Sequence, residues 1–492
     1  MIALAKRLIV SSRELVTKGV NGVERPPPEK RKIDHEIPDT PVKEEPDTHV
    51  PKRRKTSNVA PRRAKPTRLL NEAPSRRLDI AVFGIGENGE LGLGNAKHNK
   101  KSPLAASRPR LNHLLNADDA GIVQVAVGGR HCAALTHDGR VLTWGVNDSR
   151  ALGRNTTKWE PPERREEDMT ELNPLESTPA PAEGLEKLGS DIAQVAATDN
   201  ATFVLTKSGL GSDGVYGFLR EKMRANKSKY KDRFQGTPIK IQGLKDVKEL
   251  STGVNHVLAL TESGDIYAWG SGHQAELGRR LVQRHQFESL IPRMVDLPRK
   301  GIVKAFAGFH HNFAIDKDGQ VWAWGLNNFG QTGLAADEEN LHVGIPAVVG
   351  GLKGHKIRHI AGGFHHSVAC TEDGKVLAWG RCDDSQVGMD VSALPKEHLL
   401  FDSRGRPRIL LQPTVIPGIT AALVAAGIDN SFAATPQGRV LAWGYSEHCR
   451  TGQGTDETVE TPTELAGKLA SSTSFTFVAC GGQFSLVASP RD

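Results

Sequence analysis

Five Trp-Gly pairs recur along this chain: Trp144-Gly145, Trp269-Gly270, Trp324-Gly325, Trp379-Gly380 and Trp443-Gly444. Each stands five residues after a turn glycine, namely Gly139, Gly264, Gly319, Gly374 and Gly438. Eight residues beyond each Trp another site precedes a glycine: Leu152, Leu277, Thr332, Val387 and Thr451. The interval from turn glycine to that site is 13 residues in all five copies. A fixed ruler repeated over hundreds of residues marks a repeat architecture, and it constrains the fold more than any single element does.

Each copy, such as "HCAALTHDGRVLTWG" (131–145), reads as a strand, a tight turn and a second strand. The turn glycine supplies a positive φ that other residues adopt only at a cost. Units recur about every 55 to 64 residues, room for four strands and long loops. Repeated four-stranded sheets remove their exposed edges by closing radially. The two ends carry complementary halves. "DIAVFGIGENGELGLG" (79–94) has only a second half, with Phe83-Gly84 for Trp-Gly, and "FVACGGQFSLVA" (477–488) has only a first half. First halves occur near Gly128, Thr198, Gly253, Gly308, Gly363, Gly427 and Gly481, seven in all. The expected fold is all-β: a seven-bladed β-propeller over about 79–490, closed by N- and C-terminal strands of one blade.

One copy breaks the ruler. In "LTKSGLGSDGVYGFL" (205–219), Gly214 stands where the Trp belongs, and the distance from Gly209 to Tyr216-Gly217 is 7 rather than 13. The expectation is a truncated unit that lacks its V-x-x-W-G strand.

Charge is unevenly placed. Residues 1–78 hold 19 Lys and Arg against 10 Asp and Glu, a net of +9, so the remainder of a +7 chain sums to −2. This stretch is Pro-rich and nearly free of aromatics, so it is expected to be a disordered basic tail. Its clusters "PEKRK" (28–32), "PKRRK" (51–55) and "PRRAKPTR" (61–68) read as nuclear-import signals or phosphate-binding arms. A second expected irregularity is the acidic, Pro-rich insertion at about 159–187, read as a disordered surface loop. No run of 18 apolar residues occurs, and the five cysteines (Cys132, Cys370, Cys382, Cys449, Cys480) show no C-x-x-C spacing, which argues against a membrane helix, a zinc ribbon and a disulfide framework.

The pattern G-G-x-H-x-x-A-L, D-G-x-V-x-x-W-G-x-N, L-G, seen nearly intact in "GVNHVLALTESGDIYAWGSGHQAELGRR" and "AGGFHHSVACTEDGKVLAWG", resembles the regulator of chromosome condensation family from about Asp79 to the C-terminus. The resemblance implies a nuclear, chromatin-associated exchange factor for the small GTPase Ran, acting in nucleocytoplasmic transport and mitosis. It implies a docking ring that includes Glu87, His131, Asp199, Asn255, Arg279 and His366, with Asp213 and Gly214 in the surviving part of a wedge loop. Chromatin contact is expected from Lys52, Arg53, Arg54, Lys55, Arg62 and Arg63 of the tail and from loop residues Arg280 and Arg284. Expected partners are a Ran-type GTPase, the nucleosome and a nuclear import receptor, with no membrane, metal or cofactor. No catalytic constellation accompanies the repeats, as suits a factor that makes and breaks no bond. The competing reading is a chromatin-bound propeller scaffold without exchange activity.

Overall fold

The computed structural model describes residues 69–160, 168–188, 191–208, 214–218, 238–280, 288–298, 301–335 and 341–491. Seven antiparallel sheets follow one another in chain order. From the inner strand outward, blade 1 holds Ile122–Val127, His131–Thr136, Val141–Gly145 and Ala180–Pro181; blade 2 holds Ile192–Ala197, Thr202–Thr206, Val215–Phe218 and Ile239–Lys240. Blade 3 holds Val247–Thr252, His256–Thr261, Ile266–Gly270 and Arg293–Met294; blade 4 holds Ile302–Ala307, His311–Asp316, Val321–Leu326 and His342–Val348. Blade 5 holds Ile357–Gly362, His366–Thr371, Lys375–Arg381 and Pro407–Thr420, with a fifth strand at Leu399–Phe401. Blade 6 holds Leu423–Ala426, Asn430–Ala434, Val440–Gly444 and Val459–Glu464. Blade 7 joins the termini: Phe477–Cys480 and Phe484–Pro490 pair outward to Leu78–Ile85 and Ala105–Leu111. This is the closure that the half-units at the two ends implied.

The second strand of blades 1 to 6 is buried along its whole length. It packs against a neighbouring blade on both faces, which is why its sequence is an apolar run rather than an alternation. The third strand brings each Trp opposite the second residue of the second strand, as in Cys132↔Trp144 and Ser367↔Trp379. The indole then lies beneath a glycine of the preceding blade's loop. A Cβ on Gly92, which has φ +64°, would sit 2.7 Å from the Trp144 ring, so only glycine fits there.

A relay of hydrogen bonds joins blade to blade through the same loops. His366 Nε2 bonds Ser431 Oγ at 2.9 Å, Ser431 Oγ donates to the Gln386 carbonyl at 2.9 Å, and Trp443 Nε1 donates to that carbonyl at 2.8 Å. His311, Ser367, Gln331 and Trp379 repeat the arrangement, as do His256, Asn312, Glu276 and Trp324. One loop carbonyl therefore ties its blade to both the second and the third strand of the next.

Blade 2 corrects the expectation of a missing strand. Val215–Phe218 pairs with Thr202–Thr206 in the register of every other blade, with Thr202↔Phe218 in place of the residue–Trp pair. Phe218, 1% exposed, occupies the Trp slot beneath Gly153, where a Cβ would meet the phenyl ring at 2.6 Å. At the seam with blade 3, Trp269 is buried, yet its Nε1 has no hydrogen-bond partner among the described residues. The other relay members are missing there too, since Ala201 stands for the leading His and Val257 for the Ser.

The chain ahead of the propeller bridges that seam. Leu70 N and Asn71 N donate to the Lys207 carbonyl at 2.8 and 2.9 Å, and the buried Asn71 amide donates to Thr206 O in blade 2 and Val247 O in blade 3 at 3.1 and 2.9 Å. Residues 69–78 are thus part of the folded body, and the boundary expected at 78 moves to 69. The insertion also needs correction in its second half. A short helix, Pro174–Ser177, is capped by Asn173, and the buried Arg154 guanidinium donates to the carbonyls of Thr143 and Leu175 at 2.9 and 3.0 Å. Residues 168–188 are an ordered packing element, because Arg154 and Thr156 reach into them.

Candidate docking face

The two ends of the ring differ in chemistry. At one end, here called the rim, lie the turns that precede each second strand and the loops that follow each Trp-Gly pair. At the other lie the tight Asp-Gly hairpins. The rim turns are stitched around the channel mouth by main-chain bonds: Gly482 N to Gly129 O at 2.9 Å, Asp199 N to Val254 O at 2.8 Å and Val254 N to Phe309 O at 3.2 Å. The Asp199 carboxylate accepts the Gly129 N–H at 2.7 Å. Burial raises the pKa of Asp199, offset by that N–H and by nearby His310 and Arg130. Below the mouth, the inner strands enclose a cavity of about 230 Å³.

The turns project Arg130, Asn200, Asn255, His310, His365, Asp429 and Gln483 into two unlike sectors. Around blades 7, 1, 2 and 3 the sector is polar. Glu87 is exposed, Arg130 pairs with Asp148 at 3.2 Å, and Asn200 Nδ2 donates to Asn255 Oδ1 at 2.6 Å. Around blades 4 to 6 it is aromatic and cationic. Ring centroids lie 6.0 Å apart for Phe309–Phe364 and 4.5 Å apart for Phe364–His365 and Phe329–His365. The guanidinium groups of Arg381 and Arg408 stand 5.8 and 5.0 Å from the Phe329 ring. Arg381 also pairs with Asp383, Asp384 and Asp429. At the border of the sectors, His310 Nδ1 meets the buried Glu276 carboxylate at 3.1 Å. Burial would raise the Glu276 pKa, but bonding to His310 and the charge of nearby His256 bring it below the usual carboxylate value. Burial, with Arg381 alongside, drops His365 to about 3, so it is neutral at physiological pH.

The expected site residues divide accordingly. Glu87 and Asn255 are exposed on the rim and Asp199 is half-buried within it. His131 and His366 are wholly buried. Both serve the seams between blades, His131 by bonding Thr202 Oγ1 at 2.9 Å, and burial drops both pKa values to about 4. His131 and His366 are therefore internal, a correction to the expectation that they belong to the docking ring. Arg279 is turned inward as well, donating to Ala268 O at 3.0 Å, and braces its own loop as Arg154 does in blade 1. Gly214 lies at the opposite end, where its N–H donates to Thr206 Oγ1 at 2.8 Å and closes the blade 2 hairpin. It is not part of a rim wedge. Arg280 is exposed beside Arg279. Asp213, Arg284 and the tail residues Lys52, Arg53, Arg54, Lys55, Arg62 and Arg63 lie outside the described residues.

Sequence reasoning missed Phe329, Phe364 and the long outer strand of blade 5. The 32 residues between Gly388 and Ala421 were a signal of extra structure. Among the described residues, no group of three or more His, Cys, Asp or Glu is placed to hold a metal ion. What the face offers is area, charge and aromatic anchors for a macromolecule.

A closed seven-bladed ring with one stitched, two-sectored rim defines the class: an RCC1-type propeller. The RCC1-like domain family matches over residues 79–487, and the chain belongs to that family. It is 38% identical to the protein pim1 of Schizosaccharomyces pombe over 89% of this chain and 80% of that one. It is 34% identical to the guanine nucleotide exchange factor SRM1 of Saccharomyces cerevisiae, over 83% and 86%, and 28% identical to the human regulator of chromosome condensation, over 83% and 90%. Among solved structures it resembles yeast Prp20p, studied for its binding to Gsp1p and histones, with a TM-score of 0.74, 33% identity and coverage of 86% and 94%. It also resembles yeast RCC1 (Prp20) bound to Kap60, with a TM-score of 0.73, 32% identity and coverage of 89% and 97%.

Proposed function

We propose that this protein is a guanine nucleotide exchange factor for a Ran-type small GTPase and that it works on chromatin in the nucleus. Exchange requires only that the factor bind the nucleotide-free GTPase more tightly than the loaded one. The rim does this by contact. Glu87 and Asp199 supply acidic partners for GTPase lysines, including the one left uncompensated when phosphate departs, and Asn255 supplies a neutral hydrogen-bonding group.

The observation that carries the reading is the separation of the two ends. Leu70 and Asn71 are fastened to blades 2 and 3 at the Asp-Gly hairpin end, opposite the rim. Lys52, Arg53, Arg54, Lys55, Arg62 and Arg63 hold chromatin through DNA phosphates, and the rim holds the GTPase. Arg280, with Arg284, adds a lateral contact to the acidic histone surface, and the basic clusters serve an import receptor before chromatin is reached.

The test is release of labelled GDP from Ran by the purified protein. Acceleration is expected, and Glu87→Lys with Asn255→Lys should lower it at least about tenfold through charge mismatch. No acceleration by the native chain would leave the scaffold reading instead. Removing residues 1–68 should flatten the salt dependence of nucleosome binding while exchange persists; an unchanged slope would remove the arm from the account.

A further inference from the structure

Blade 5 differs from the others in its outer edge. Pro407–Thr420 runs for 14 residues, against 7 and 6 for the outer strands of blades 4 and 6. Arg381, the last residue of the third strand at the rim, pairs with Ile409. The chain before Ile409 therefore stands beyond the rim, and there it pairs with Leu399–Phe401: Leu399↔Leu410, Leu400↔Ile409 and Phe401↔Pro407. The result is a hairpin, residues 399–410, that projects on the rim side.

The hairpin is built to hold its shape. Leu399 and Leu410 root it in the blade core. At the tip, the Asp402 carboxylate accepts the N–H groups of Arg404 and Arg406 at 2.8 and 2.9 Å and the Arg406 guanidinium at 2.8 Å. Gly405, at φ +76°, turns the chain. Its side toward the mouth is tied down, since Arg408 lies over Phe329 and its carbonyl accepts the Cys382 N–H at 3.0 Å. Through Phe329, His365 and Phe364 the aromatic contacts run unbroken from hairpin to channel mouth. Yet Leu400 and Phe401 remain 43% and 42% exposed. Holding two large apolar side chains on a rigid arm in water is unfavourable unless a partner covers them.

We propose that hairpin 399–410 is an arm of the docking face that grips the flank of the GTPase, with Leu400 and Phe401 as apolar anchors and Arg404 facing an acidic border. This rests on the exchange-factor reading. The occupant follows from continuity: the arm rises from the proposed docking rim and is joined by the aromatic ridge to its centre, so a globular partner seated there meets the arm. Preorganisation matters, because a partner gains most from anchors whose ordering cost is already met. Aromatic and arginine groups of this kind carry a disproportionate share of interface energy.

The test compares the full chain with the Leu400→Ser/Phe401→Ser variant and with Arg404→Glu. Readouts are affinity for nucleotide-free GTPase, KM and kcat of GDP release, nucleosome binding and the unfolding midpoint. The double variant should lose at least about tenfold in affinity and raise KM with kcat nearly unchanged, while nucleosome binding and the unfolding midpoint stay at wild-type values. Arg404→Glu, at a solvent-exposed tip, should move affinity the same way and is read alone if the double variant unfolds early. Wild-type affinity in the variants, or loss of nucleosome binding in place of GTPase binding, overturns the arm. If the native chain binds no GTPase at all, the exchange-factor reading falls with it; if the native chain binds and the variants match it, only the arm falls.

Discussion

Trp269 and Trp379 form a matched pair that isolates one hydrogen bond. Both are buried, at 2% and 0% exposure. Each meets a phenylalanine edge-on with ring centroids 5.9 Å apart, Phe203 at 77° and Phe313 at 87°. Trp379 Nε1 donates to the Gln331 carbonyl at 2.9 Å, whereas Trp269 Nε1 has no partner among the described residues. Replacing either by Phe removes the same atoms, so the truncation cost is common to both. At Trp379 a net hydrogen bond of about 1 kcal/mol is lost as well. The Gln331 carbonyl keeps Ser367 Oγ at 2.7 Å and adds no further penalty. At Trp269 the change instead removes an unsatisfied buried donor, which costs about 1 to 3 kcal/mol in the native protein. Trp379→Phe should therefore be the more destabilising by about 2 kcal/mol or more. Urea unfolding of the two variants beside wild type, with slopes compared to confirm a common transition, measures the gap. Equal losses of stability at the two sites would refute the reasoning, because the shared loop carbonyl would then contribute nothing.

Three further outcomes follow from the same seams. Phe218→Trp should be tolerated or stabilise by up to about 1 kcal/mol, since the slot beneath Gly153 is built for an indole elsewhere in the ring; a clear drop in the unfolding midpoint would mean blade 2 has closed around the smaller ring. Asn71→Ala strips two bonds from the seam between blades 2 and 3 and should cost about 1 to 3 kcal/mol, read as a lowered midpoint; no change would show that the strap is incidental. The buried histidines set an acid limit. His131 and His366 are held at about 4 in the fold, against about 6.5 in the unfolded chain. The unfolded state binds more protons between those values, so stability is full above about pH 6.5 and falls as the pH drops toward 4. Thermal midpoints across that window should fall steeply, and a flat profile would contradict neutral burial of the ring.

The 13-residue ruler, the half-units at the two ends and the break at 205–219 were all legible in the chain, because each strand, turn glycine and Trp acts within its own blade at fixed spacing. The family followed from the same local pattern. The roles of individual side chains did not. His131 and His366 look like surface groups in sequence, but only the pairing of adjacent blades shows that each points into a seam toward a hydroxyl some 70 residues away. The break looked like a lost strand, and register alone showed that Val215–Phe218 takes its place. Arg279 and the blade 5 hairpin were decided in the same way, by which carbonyl or which ring stood across the gap. Spacing along a chain fixes what each unit contains. What a side chain faces depends on the neighbour that ring closure sets against it.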